Sequence, residues 1–92
     1  MAENEEVVLY WRPRCPYCVK LRLILALKGL RCRKVNIWRD PEAAAVVRSV
    51  AGGYETVPTV TVAGRALVNP SVSQLMETVR AHAPHALRGA SH

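Results

Sequence analysis

Cys15 and Cys18 stand three positions apart in the stretch WRPRCPYC, with Pro16 and Tyr17 between them and Arg12 and Arg14 just ahead. Two thiols at this spacing can cycle as a redox pair, clamp a metal, or pack inertly. Proline suits the first turn of a helix, where no N–H donor is needed. With Pro16 in that place, Cys15 falls at the N-terminal boundary of a helix and Cys18 one turn further in. Residues three apart then face each other, so the pair can close a small disulfide and reopen it on attack by an incoming thiol. The free N–H groups and positive dipole end of the helix favour a thiolate over a thiol, and Arg12 and Arg14 add positive charge. The Cys15 pKa is expected to fall from about 8.5 into the range of roughly 3.5 to 7.5 found in such settings. Cys18, deeper and flanked by apolar residues, is expected to hold its proton. Cys15 is thus the attacking residue and Cys18 the resolving one.

The metal reading is weaker, because structural zinc needs two further ligands at compatible spacing. The candidates are Cys32, His82, His85 and His92, and the histidines lie in or near the C-terminal tail, so no metal site is expected. Cys32 reads as a small buried apolar residue at the start of a strand; the alternative is a third redox thiol. Trp11 reads equally as core or as a wall of the active site. Gly52 and Gly53 follow a helical stretch instead of opening one, which makes them a helix stop and not a phosphate cradle.

Several elements must position the pair. VVLYW, residues 7–11, is a short β-branched and aromatic run ending at Arg12 and Pro13, the pattern of a buried strand before a loop. From Pro16, the residues Leu21, Ile24 and Leu25 recur at helical spacing, and Gly29 with Leu30 forms a glycine C-cap. Val35 and Ile37 mark a second strand of about five residues. Asp40 and Pro41 start a second helix that Gly52 and Gly53 end. Strands follow at 59–62 and 65–68 around a tight turn at Ala63 and Gly64, with Pro58 at the entrance. SVSQ, residues 71–74, is a capping box, and Val72, Leu75, Met76 and Val79 follow at i, i+3, i+4 and i+7. The last helix is expected to fade before Pro84.

The order β-α-β-α-β-β-α defines an α/β chain with a mixed four-stranded sheet flanked by helices. Crossover helices imply parallel pairing of the early strands, and the tight turn implies an antiparallel last pair. A single domain over residues 1–92 is expected, with its core from about 6 to 83 and a frayed tail over 84–92.

Composition bounds the function. The formal net charge is +6 over 92 residues, but the arginines are scattered instead of forming a stripe interleaved with aromatics, which argues against nucleic acid as a partner. No long apolar run suggests a membrane span. The N-terminus MAENEEVV lacks the basic and apolar regions of a signal peptide, so a cytoplasmic location is expected. There an odd number of cysteines points away from structural bridges.

A strand, then Cys15-Pro16-Tyr17-Cys18 at a helix N-terminus, then Thr56-Val57-Pro58 after a second helix, together resemble the glutaredoxin family of the thioredoxin fold, over roughly residues 7–83. The resemblance implies that Pro58 is cis and faces the active cysteine. It implies that Val57 presents its backbone to a bound peptide-like thiol as a short added strand, that Thr56 lines the thiol groove, and that Tyr17 is exposed beside the thiolate. Thr56 has a strand-edge role as its alternative, and Arg12 and Arg14 are candidates for electrostatic contact with the cosubstrate. Glutathione-using relatives usually carry a Gly-Gly-x-Asp-like segment at the start of the last helix, which grips a carboxylate. Here the segment reads Asn69-Pro70-Ser71-Val72-Ser73, which looks more like the mycoredoxins that act with mycothiol, a thiol without glutathione's two carboxylates. Asn69 and Ser71 are therefore counted among the substrate-binding residues.

The implied activity is thiol–disulfide exchange on mixed disulfides between proteins and a low-molecular-weight thiol, with mycothiol favoured over glutathione. The small thiol is a cosubstrate regenerated by its own NADPH-dependent reductase, no cofactor is bound, and the chain is expected to be monomeric. Two alternatives stand beside this reading. One is a glutaredoxin-like electron donor to ribonucleotide reductase, reduced by thioredoxin reductase. The other is a non-enzymatic carrier holding a [2Fe-2S] cluster through Cys15 of two subunits.

Overall fold

The structure, a computed structural model, describes residues 7–87. Its centre is β1 (Val7–Trp11), which pairs on one side with β2 (Arg33–Asn36) and on the other with β3 (Thr59–Val62), with β4 (Arg65–Val68) outermost in the order β2-β1-β3-β4. A strand paired on both edges and covered on both faces needs apolar residues at consecutive positions. That accounts for the unbroken run VVLYW. Val7 and Leu9 enter a core with Val60 and Val62 of β3, Leu21 and Leu25 of α1 (Pro16–Leu27), and Leu75, Met76 and Val79 of α3 (Val72–His82). On the opposite face Tyr10, Val35 and Val57 pack against Ile37 and against Ala43, Ala44 and Val47 of α2 (Pro41–Val50). The sheet is thus a middle layer between α1 with α3 and the single helix α2.

The helix boundaries follow their sequence signals. Asp40 accepts a hydrogen bond from Ala43 N–H at 3.1 Å and Ser71 accepts one from Gln74 N–H at 3.0 Å, each satisfying an amide that has no partner within its helix. At the end of α1, Gly29 adopts a φ of 76°. The N–H of Leu30 then reaches the carbonyl of Leu25 at 3.0 Å, and that of Gly29 reaches Ala26 at 3.1 Å, the paired bonds of a Schellman end. Among the described residues no helix is long and apolar enough to cross a membrane.

Two expectations are corrected. Parallel pairing holds for β1 with β2, but β3 runs antiparallel to β1, with Tyr10 opposite Thr59 and Val7 opposite Val62. The chain between α2 and β3 returns to the end of the sheet where β1 finishes before β3 sets out, so the α2 segment is not a crossover between parallel neighbours. The tail is also not frayed over 84–87. Pro84–Ala86 form a 3-10 turn, Ala83 and Ala86 are buried, Leu87 forms an isolated bridge with Leu30, and Arg31 N–H donates to the Ala86 carbonyl at 2.7 Å. Small residues at 83 and 86 let this turn close over the end of α1. The remainder of the expected tail, with His92, lies outside the described residues.

Candidate active site

The route from β1 to α1 takes four residues, 12–15, and has to change direction within them. Arg14, immediately ahead of Cys15, takes a φ of 66°. This left-handed backbone is uncommon for a residue with a Cβ and is concentrated at functional sites. No residue type in WRPRCPYC announces it. Its effect is to deliver Cys15 as the N-cap of α1, in extended conformation, with Pro16 in the first turn.

Cys15 and Cys18 are joined as a disulfide with their Cα atoms 5.2 Å apart. Cys15 keeps 9% of its surface exposed and Cys18 none, so an external sulfur can approach only the first. Cys15 Sγ also accepts the backbone N–H of Cys18 at 3.2 Å. This contact occupies the usual N-cap position, with sulfur in place of oxygen, and aims a helix amide at the atom that carries negative charge when the bond is open.

Pro58 lies at the same end of the sheet, since the next residue, Thr59, pairs with Tyr10 near the end of β1. The Val57–Pro58 peptide bond is cis. Thr59 is fully buried and its hydroxyl donates to the Thr56 carbonyl at 2.8 Å, which holds the turn ahead of Pro58. Val57 packs its side chain on the α2 cluster. Asn69, with a φ of 51°, donates its N–H to the Pro58 carbonyl at 2.8 Å. The Tyr17 hydroxyl in turn donates to the Pro70 carbonyl at 3.1 Å. Three segments distant in sequence, 15–18, 56–59 and 69–71, are therefore knitted together.

Tyr17 is consequently half-buried, not freely exposed as the family resemblance implied. Its hydroxyl reaches a carbonyl 53 residues away, a contact that local sequence could not reveal. Tyr17→Phe is expected to cost about 0.5 to 1.5 kcal/mol, the usual net worth of a hydrogen bond, seen as a lower midpoint in urea unfolding. Arg14, Asn69 and Ser71 are exposed, and Arg12 and Thr56 are half-buried. Ser71 uses its oxygen to cap α3. Trp11 is half-buried beneath Arg22, whose guanidinium carbon sits 4.9 Å from the ring centroid, a stacked cation that secures the end of β1 to α1.

Cys32 is a free thiol just ahead of β2, half-buried against the α1 and α3 core. Burial pushes its pKa up from the ordinary thiol value, outweighing the opposite pull of Lys34 and Arg22. A thiol whose folded pKa is raised contributes stability that is fully present below its unfolded pKa and is lost as pH rises toward the folded one. With the Cys15–Cys18 disulfide closed, the wild-type protein should therefore lose more stability than Cys32→Ala between pH 8 and 10. Urea titrations at the two pH values measure this.

A sheet of this order, with a disulfide-forming pair at a helix N-cap and a cis proline at the same end of the sheet, defines a thioredoxin-like thiol–disulfide oxidoreductase. Residues 7–67 match the family model described as Glutaredoxin. A protein of Mycobacterium tuberculosis that carries the name glutaredoxin is 37% identical over 70 residues, covering 75% of this chain and 83% of its own. The chain belongs to the glutaredoxin family. The crystal structure of a glutaredoxin from Archaeoglobus fulgidus shares the fold, with a TM-score of 0.70 at 22% identity over 83% of this chain and 87% of the other. A structure of the glutaredoxin-like NrdH-redoxin from Escherichia coli superposes with a TM-score of 0.59 at 25% identity, covering 68% of this chain and 80% of that one.

Proposed function

We propose that this protein reduces mixed disulfides between proteins and a low-molecular-weight thiol, with mycothiol preferred to glutathione. The observation that carries the reading is the contrast within the pair: Cys15 is reachable and receives a helix N–H on its sulfur, and Cys18 is sealed. The Cys15 thiolate attacks the small-thiol sulfur of the mixed disulfide. The old S–S bond breaks with its electron pair on the protein sulfur, which leaves and takes a proton, and Cys15 is left linked to the small thiol. A second small-thiol thiolate attacks that link, releases the symmetrical small-thiol disulfide and restores Cys15. The cosubstrate's NADPH-dependent reductase then reduces the disulfide. Alternatively the Cys18 thiolate displaces the small thiol and closes the Cys15–Cys18 bond, which two further small thiols reopen as they pair into their own disulfide, allowing a dithiol cycle on protein disulfides. Arg12 and Arg14 favour the anionic sulfur, and Thr56, Val57 and Pro58 offer backbone and groove to the incoming thiol.

The preference for mycothiol is supported by the loop before α3. Asn69 N–H is committed to the Pro58 carbonyl, Pro70 has no N–H, and Ser71 Oγ caps Gln74. The loop also lacks the Gly-Gly-x-Asp-like segment with which glutathione-using relatives grip a carboxylate, which suits a cosubstrate that lacks one. Turnover of one mixed disulfide prepared with each thiol, each with its own reductase, tests this. Faster turnover with mycothiol is expected, and equal rates would remove the preference.

A second reading rests on the likeness to the Escherichia coli protein, described as having a thioredoxin-like activity profile. On that reading the dithiol form passes electrons to ribonucleotide reductase. Reduction of the Cys15–Cys18 bond by thioredoxin reductase and NADPH without a small thiol would favour it.

A further inference from the structure

A helix laid on one face of a sheet turns apolar residues inward and charges outward. The inner stripe of α1 is Cys18, Leu21 and Leu25, all buried. Its outer side departs from the rule. Val19, Leu23 and Leu27 are 49%, 62% and 88% exposed, and their spacing of four aligns them along about 12 Å of helix. Pro16 and Ala26 are also exposed, and Lys20 is the charged residue among them. Single exposed leucines are ordinary, whereas an aligned row marks an interaction surface. This row begins next to Cys18 on the helix that Cys15 caps.

Charge is just as unevenly placed. Residues 7–39 contain nine arginines and lysines and no aspartate or glutamate, and residues 40–92 contain four of each sign. The excess positive charge of the chain therefore belongs to the active-site loop, α1 and the strand after it. A second copy docking through this face would set cation against cation. An acidic surface with apolar side chains complements it in both respects.

We propose that the outer face of α1 docks the protein moiety of the mixed disulfide, and that it selects acidic segments carrying aliphatic side chains beside the modified cysteine. The partner so named rests on the reductase reading above. Contact along Val19, Leu23 and Leu27 holds the substrate at the helix end where Cys15 is reachable, and the exposed Lys20 within that row draws in its carboxylates.

The test uses three substrates: bis(2-hydroxyethyl) disulfide, a peptide mixed disulfide flanked by glutamate and leucine, and the same peptide with lysine for glutamate. Wild-type kcat/KM should be about tenfold higher on the acidic peptide than on the basic one, at the low end of electrostatic steering, and the gap should close in 0.5 M salt as charges are screened. The double variant Leu23→Ser with Leu27→Ser and the single variant Lys20→Glu should each lose most of that advantage and leave the small disulfide unaffected. Equal rates on the two peptides would overturn the proposal, as would a parallel loss on the small disulfide. A dimer in sedimentation that the leucine variant dissociates would assign the face to a second copy, and leucine-dependent binding to anionic vesicles would assign it to a membrane surface. Either result overturns the proposal as well. Fluorescence anisotropy with the acidic peptide carrying serine for cysteine reads docking without chemistry. A wild-type protein inert toward the small disulfide would count against the reductase reading, and the docking face would then stand or fall on the anisotropy alone.

Discussion

Cys15→Ser is expected to abolish mixed-disulfide reduction, by at least about 10³-fold, the scale on which removing an attacking group acts, with Cys18→Ser retaining it. The difference follows from position within one helical turn. Cys15 is the N-cap, with 9% of its surface open and a backbone N–H on its sulfur at 3.2 Å, and Cys18 is fully enclosed by the core. A serine hydroxyl at position 15 can still cap the helix, so the variant should fold, and its loss of rate reports the missing thiolate. Serine at 18 buries a hydroxyl in the core and lowers stability, but in the reaction it removes only the resolving route, because a second small thiol can release the adduct. Coupled NADPH oxidation with a mixed-disulfide substrate gives both rates. Activity surviving in Cys15→Ser, or loss in Cys18→Ser alone, would reverse the division of labour.

The largest effect on stability is expected from Leu9→Ala, about 2 to 5 kcal/mol by loss of burial and creation of a cavity. Leu9 is fully buried in the central strand, opposite Lys34 on one side and Val60 on the other, within the cluster that α1 and α3 share. A chain of this size is held by roughly 5 to 14 kcal/mol. The variant should therefore unfold at much lower urea concentration, and at about 4 to 8 °C lower temperature per kcal/mol lost. Because β1 leads directly into the Cys15 loop, reducing activity should disappear along the same thermal curve as the structure. A retained midpoint would mean that α1 and α3 close over the vacated space.

Sequence alone determined the parts of this protein that are written in nearest neighbours. Pro16 and the helix that follows place Cys15 at a helix start. Asp40, Ser71 and Gly29 set the other helix ends, and Gly64 favours the turn between β3 and β4, each by a local preference that needs no distant partner. The joint presence of CPYC and TVP made the family legible, and Pro58 is cis as that resemblance implied. Tertiary structure alone decided whatever depends on which segments meet. The direction of β3 depends on where the loop after α2 returns, and nothing in TVPTV states it. The tail packs at 84–87 because Ala86 finds Arg31, and Tyr17 is drawn inward because Pro70 arrives beside it. The bare row on α1 has the same origin: helical periodicity shows that Leu21 and Leu23 lie on different sides, but only the packed sheet decides which side is covered. Local preferences are additive and near at hand, whereas contacts between distant segments exist only after the whole chain has chosen its topology, and the chemistry of Cys15 depends on both.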